Sequence, residues 1–370
     1  MDLLHEIRFE RYLSSAIISP SKMFVFAATY TGHLGWWDLN NEQVRLCNDY
    51  PKTNFGHIYS IEYFEDDNAL VVCGEDGIYL WRPGSETGWV SYNIATPQKR
   101  EVGPFRSAKF ADKKRFFASD YWPRLYSIHG NSITTVDDVG GKLAKHPSGD
   151  LLLVSESKFD VNRIRFAWLQ EESVSLSPLT ICLPLEYQPF GAAAFHPDGS
   201  QFSLLSSTPN FSQLLVFSFP KCRLLHTVFY RRDDVSSDDL YESLTIPASV
   251  DRIGYSSLGD VILFPTPNGM IVCVDSRTGF ILNEIHSHTG AVYAFDLAGD
   301  GLVITGGYED GLIKTWREDK CKSPAVHLDI KTADSFRDLE AQVTGSIAAT
   351  GSEGLLYTDG TGKWSNIFST

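Results

Sequence analysis

Ten histidines and 46 carboxylates give this 370-residue chain ample material for acid–base or metal chemistry, and their spacing decides whether they can act together. His286 and His288 stand two apart on one side of a strand-like stretch, a spacing that could seat a metal ion; chance and packing explain them more simply. His146 and His196 lie in two separate copies of one turn, Lys145-His146-Pro147-Ser148-Gly149-Asp150 and Phe195-His196-Pro197-Asp198-Gly199-Ser200. Proline and glycine at those places build a tight turn, so the repeated histidines read as turn residues rather than ligands. Asp76 and Asp310 could each serve as an acid, yet both fall in short glycine-containing turns. No HExxH, GxSxG or CxxC occurs, and no glycine-rich phosphate loop joins a strand to a helix. The expectation is no catalytic residue, no metal and no cofactor.

The elements around these residues are short strands. Aromatics are abundant, with 23 Phe, 16 Tyr and 8 Trp, and 29 glycines supply turns, a composition that suits an all-β protein. Residues 288 to 317 give an apolar run around Val292 to Leu297, a turn at Gly299 and Gly301, a second run at Leu302 to Thr305, a Glu309-Asp310-Gly311 turn and a third run ending at Trp316. Three short strands joined by tight turns make an antiparallel meander. Residues 56 to 82 repeat the order, with His57, Asp76 and Trp81 at nearly the same spacings, and with Cys73 near the place of Thr305. In both copies this order resembles the WD40 repeat. The resemblance implies that His288, Thr305, Asp310 and Trp316 form a hydrogen-bonded brace inside one propeller blade, and that His57, Asp76 and Trp81 form a weaker one. The first copy departs from the family at its end, Trp316-Arg317 in place of Trp-Asp.

The rhythm covers nearly the whole chain. Unit starts near 14, 58, 104, 141, 190, 250, 290 and 335 predict one all-β domain over residues 1–370, a WD40-like β-propeller of eight blades with seven as the alternative. Unit seven takes Ala325 to Ile330 as its fourth strand, and Phe336 to Val343, Ser346 to Thr350 and Gly354 to Thr358 make a last unit that lacks one. Propellers of the family commonly close with an N-terminal strand, so Leu3 to Phe9 is expected to pair near Gly354 to Thr358. Residues 230–247 form the longest loop between units.

A formal charge of −14 argues against attraction to a nucleic-acid backbone. Charges interrupt the first residues, MDLLHEIRFERYLSSAII, and no apolar run approaches the ~20 residues that span a bilayer. Six scattered cysteines read as free thiols in a reducing compartment, so a cytoplasmic location is expected. The architecture favours a non-enzymatic scaffold or complex subunit that binds another protein or peptide with its top face. The alternative is a propeller hydrolase or lyase with its site at the central channel. The family's top face implies Tyr59 and Thr289 as contacts, and unit register adds Phe105, Arg106, Phe190 and Arg252. The long loop adds Arg231, Arg232 and Tyr241.

Overall fold

The computed structural model describes residues 1–9, 11–19, 24–39, 43–46, 56–64, 68–75, 77–82, 89–92, 105–112, 115–120, 124–129, 132–137, 141–158, 161–170, 173–183, 191–207, 211–231, 252–298, 301–317, 347–351, 354–358 and 364–366. An opening strand, β1 (Asp2–Arg8), is followed by blade 1: β2 (Leu13–Ile18), β3 (Phe24–Thr29), β4 (Leu34–Asp38) and β5 (Gln43–Leu46). Blade 2 is β6 (Ile58–Phe64), β7 (Ala69–Gly74), β8 (Ile78–Trp81) and β9 (Trp89–Tyr92). Blade 3 is β10 (Phe105–Phe110), β11 (Arg115–Asp120), β12 (Leu125–His129) and β13 (Ser132–Asp137). Blade 4 is β14 (Lys142–Lys145), β15 (Leu151–Lys158), β16 (Val161–Leu169) and β17 (Val174–Leu183). Blade 5 is β18 (Ala192–Phe195), β19 (Gln201–Ser207), β20 (Phe211–Ser218) and β21 (Leu224–Arg231). Blade 6 is β22 (Gly254–Tyr255), β23 (Val261–Pro265), β24 (Met270–Asp275) and β25 (Ile281–His286). Blade 7 takes three strands from late in the chain, β26 (Val292–Leu297), β27 (Leu302–Gly307) and β28 (Leu312–Arg317), and β1 as its fourth.

The inner strands β2, β6, β10, β14, β18, β22 and β26 pack each against the next, and β26 returns to β2, so the ring is closed. One apolar cluster fills each seam. Phe26 and Ile61 join blades 1 and 2, Val71 and Phe105 blades 2 and 3, Phe117 and Leu152 blades 3 and 4, Phe166 and Phe202 blades 4 and 5. Leu214 and Ile262 continue to blade 6, Ile271 and Phe295 to blade 7, and Ile304 and Ala16 complete the circle. Strands held between two neighbours must be apolar on both faces, which is why β7 (ALVVCG) and β27 (LVITGG) read as continuous apolar runs and are buried throughout.

This ring has seven blades, and the expectation of eight is corrected. β1 pairs antiparallel with β28, from Asp2 opposite Arg317 to Arg8 opposite Leu312, and not with Gly354 to Thr358. The C-terminal strands exist, as β29 (Ile347–Gly351), β30 (Gly354–Thr358) and β31 (Trp364–Asn366), but they form a three-stranded sheet of their own. The physical reason is the seam between β26 and β2: with those inner strands in contact, no place for another blade remains between them. Residues 325–330 and 336–343, read as strands, lie outside the described residues.

The His-Pro turns do connect the first two strands of blades 4 and 5, where Gly149 and Gly199 take positive φ of 85° and 76°. Each histidine also reaches its neighbour. The His146 ring lies against Gly199 of blade 5, with Nε2 3.3 Å from the Gly199 carbonyl, and the His196 ring lies against Gly259 of blade 6; a Cβ on either glycine would strike the ring. Among the described residues no helix is long and apolar enough to cross a membrane.

Candidate functional site

Blade 7 carries the brace. Trp316 Nε1 donates to Thr305 Oγ1 at 2.9 Å, Thr305 Oγ1 lies 2.8 Å from His288 Nε2, and His288 Nδ1 lies 2.9 Å from Asp310 Oδ2. Asp310 is held ionised and only accepts, so the His288 Nδ1–H donates to it; Nε2 of the neutral imidazole is then an acceptor and takes the Thr305 hydroxyl proton, while Thr305 Oγ1 accepts from Trp316. Burial pushes the Asp310 carboxyl up, but the His288 hydrogen bond and the Leu312 and Thr289 amides outweigh it and hold it below its ordinary value. Thr289 is exposed and joins this network through its amide, 3.4 Å from Asp310 Oδ2. His286, by contrast, is exposed at the end of β25, so the two histidines do not converge on a metal.

Blade 2 does not reproduce the brace through His57, which corrects that expectation. Trp81 pairs with Leu70 as Trp316 pairs with Val303, so the position of Thr305 is held by Val72, one residue before Cys73, and offers no hydroxyl. Without that bridge, His57 stays exposed, its ring 6.1 Å from Tyr30 and 6.2 Å from Tyr59, and Nδ1 3.9 Å from Glu75. Trp81 packs 6.4 Å from Phe26 of blade 1. Asp76 lies outside the described residues.

Every inner strand starts at the same face of the ring, and the turn between a blade's second and third strands returns to that face. This topology gathers residues distant in sequence. Tyr12 precedes β2, Tyr30 follows β3, Tyr59 and Tyr293 are the second residues of β6 and β26, and Tyr308 follows β27. Their rings form one chain of contacts: Tyr293 to Tyr308 at 5.0 Å, tilted, and then edge contacts of Tyr308 to Tyr12 at 5.1 Å and to Tyr30 at 5.9 Å, and of Tyr30 to Tyr59 at 5.9 Å. The Arg106 guanidinium closes it, 4.0 Å above the Tyr59 ring, a cation–π contact. Burial raises the Tyr59 hydroxyl, with Arg106 opposing and Glu75 adding to the rise; burial, then Tyr30, Glu309 and Tyr308, push Tyr293 up to about 12. At neutral pH these phenols are therefore hydrogen-bond donors beside the exposed carboxylates of Glu75 and Glu309.

Of the remaining contacts expected from the sequence, Phe105 is only 2% exposed, inside the seam between blades 2 and 3, so it is no surface anchor. Arg231 is the last residue of β21 and Tyr230, read as loop, is buried in that strand with its hydroxyl donating to Glu284 at 3.0 Å. Phe190, Arg232 and Tyr241, with most of the 230–247 loop, lie outside the described residues.

Arg252 is also displaced from the expected rim. It reaches into the axis of the ring, where a cavity of ≈ 260 Å³ is lined from six of the seven blades. Its Nη2 sits 2.7 Å from Glu62 of blade 2 and donates to the Ile61 carbonyl, while Nη1 lies 3.7 Å from Asp296 of blade 7. Lys109 of blade 3 shares Glu62 at 2.7 Å. Burial pushes Glu62 up, but Lys109 and Arg252 outweigh it and the carboxyl lies below its ordinary value; Asp296 stays above, because Arg252 and the Ile18 amide only partly offset burial. Sequence reasoning missed this centre. Its signal was present: Ser60 and Glu62, and Ser107 and Lys109, place polar side chains two apart on strands that should be apolar on both faces.

No curated protein matches the chain. A family description, the WD domain, G-beta repeat, matches residues 279–317. That span takes in β25 and the three late strands of blade 7, the outer strand of one blade and the body of the next. The His288–Thr305–Trp316 brace lies within that matched span, so this segment is a WD repeat, and the described residues form a β-propeller of seven four-stranded blades closed by β1, similar in build to the WD40 family.

Proposed function

We propose that this propeller is a non-enzymatic, protein-binding scaffold or complex subunit of the cytoplasm, and that it holds a basic segment of its partner on the face around Tyr30, Tyr59 and Tyr308. The observation that carries this reading is the aromatic chain from Tyr293 to Arg106, which spans blades 7, 1, 2 and 3 and has Tyr12 at its centre, 44% exposed. Rigid aromatic side chains give contact area at low entropic cost and are common interface anchors. Glu75 and Glu309 beside them, and the charge of −14 on the chain, favour lysine or arginine on the partner and steer its approach. The free thiols Cys73, Cys182, Cys222 and Cys273 suit a reducing compartment.

A photo-crosslinking amino acid placed at Tyr12 tests the reading, with Leu258 as the control on the opposite face, 73% exposed in the turn between β22 and β23. Expressed in cells, the variant at position 12 should give an adduct with one defined protein. That adduct should disappear when Tyr30 and Tyr59 are both changed to alanine in a chain that still melts cooperatively. The same adduct from position 258, or one that survives the double change, would overturn the assignment of this face.

A further inference from the structure

We propose that β21, the outer strand of blade 5, is a docking edge for an extended segment of another protein, apolar at alternate positions and acidic at its ends. β21 (Leu224–Arg231) is the last strand of its sheet, and among the described residues no further strand pairs with it. Half of the backbone N–H and C=O groups of such an edge point outward, a template for one more strand.

Outer strands are guarded against extension by charge, by proline or by being short. β1 carries Asp2, Glu6 and Arg8, β25 carries Glu284, β17 is interrupted by Pro178 and a register shift, and β5 and β9 have four residues each. β13 turns Thr134 and Thr135 to solvent. β21 has none of these guards along its length: from Leu224 to Tyr230 there is no carboxylate, lysine, arginine or proline. Burial lowers the pKa of His226, so that ring is neutral as well. The one irregularity lies near the start, at Leu225, and from His226 to Arg231 the register with β20 is unbroken.

The two faces of β21 are unequal. Val228 and Tyr230 are buried against blade 6, and the Tyr230 hydroxyl holds Glu284. On the other face Thr227 is exposed and Phe229 is 63% exposed, while Leu224 and Leu225 are exposed at the start of the strand. A strand added here lays the side chains of one of its faces beside Phe229, where an apolar residue covers the ring. Charge selects the ends. Lys221 and Arg223, both exposed, precede the strand and Arg231 ends it, in a chain whose total is −14. Carboxylates at the two ends of the incoming segment complement these cations. A second copy of β21 fits less well, because the symmetric antiparallel register about Thr227 sets Arg223 against Arg231.

Fluorescence anisotropy tests the edge on the full chain, with a labelled peptide of alternating valine and threonine closed by glutamates at each end. It should bind saturably. Phe229→Lys should weaken it at least tenfold with the melting temperature unchanged, since an edge lysine blocks a further strand and the ring it replaces is mostly exposed. Arg223→Glu should weaken the same peptide and strengthen a version with lysine ends. Methylating the backbone nitrogens of one alternate set of peptide residues should abolish binding and methylating the other set should leave it, because only one set faces β21. Absence of saturable binding at millimolar peptide, equal loss with both methylated sets, full affinity in Phe229→Lys, or no change of preference in Arg223→Glu would each overturn the proposal. A dimer of the unliganded chain that Phe229→Lys dissociates would give the edge to a second copy and overturn it too.

Discussion

Replacing Thr305 by valine keeps the shape of the side chain and removes the one hydroxyl shared by Trp316 and His288. Thr305 is fully buried, His288 is 1% exposed and Trp316 7%, so no water replaces the lost partner. The Trp316 indole N–H then has no acceptor and His288 Nε2 no donor. Each buried orphan costs about 1–3 kcal/mol, and because the two share one network the combined loss should be about 2–5 kcal/mol. With a urea m-value of about 3 kcal/mol/M for a chain of this size, the midpoint should fall by roughly 1 M at constant m. A Trp316→Phe variant and the double variant complete a thermodynamic cycle, in which the coupling should reach about 1 kcal/mol or more. A midpoint shift below about 0.2 M, or strict additivity, would refute the claim that this relay holds blade 7 together.

Deleting residues 1–9 removes the outer strand of blade 7 together with the partly buried Met1 and Ile7, which pack into the seams on either side of that blade. At about 1.5 kcal/mol for each side chain the melt should lose about 3 kcal/mol or more, whereas truncation after residue 346, which removes strands that pair only with one another, should leave the midpoint unchanged by calorimetry. Changing Arg252 to methionine leaves Asp296 without its cation and Glu62 with Lys109 alone. It should cost about 3–5 kcal/mol in urea, an amount partly recovered by adding Asp296→Asn.

The strands were legible because apolar runs and turn residues alternate so regularly. The His288, Thr305, Asp310 and Trp316 relay was legible because its four residue types each have one geometric place in a meander. The blade count was not, since the alternation in β1 fits any open antiparallel edge, and only the contact of β26 with β2 decides which edge is used. His57, Asp76 and Trp81 have the right order, but order says nothing of the residue between them, and Val72 cannot bridge. Phe105 and Arg106 were both read as rim residues, although neighbours on a strand face opposite ways; Phe105 fills the seam and Arg106 covers Tyr59. The axial cavity depends on how deep along each inner strand a charge falls, a quantity set by the ring and not by any one unit.

The pairing of β1 with β28 also governs how this protein is made. Some three hundred residues of translation separate the two strands, which at ~5–20 residues per second is roughly 15 to 60 s. Through that interval six blades can form and stack as an open arc, with β1 tethered at the ribosome-distal end and no partner in existence. The arc exposes the apolar flank of Ala16 and Ile18 that blade 7 will later cover. A second nascent arc can cover it too, with β1 of one chain seated on β28 of the other, since the strand pairing is the same in cis and in trans.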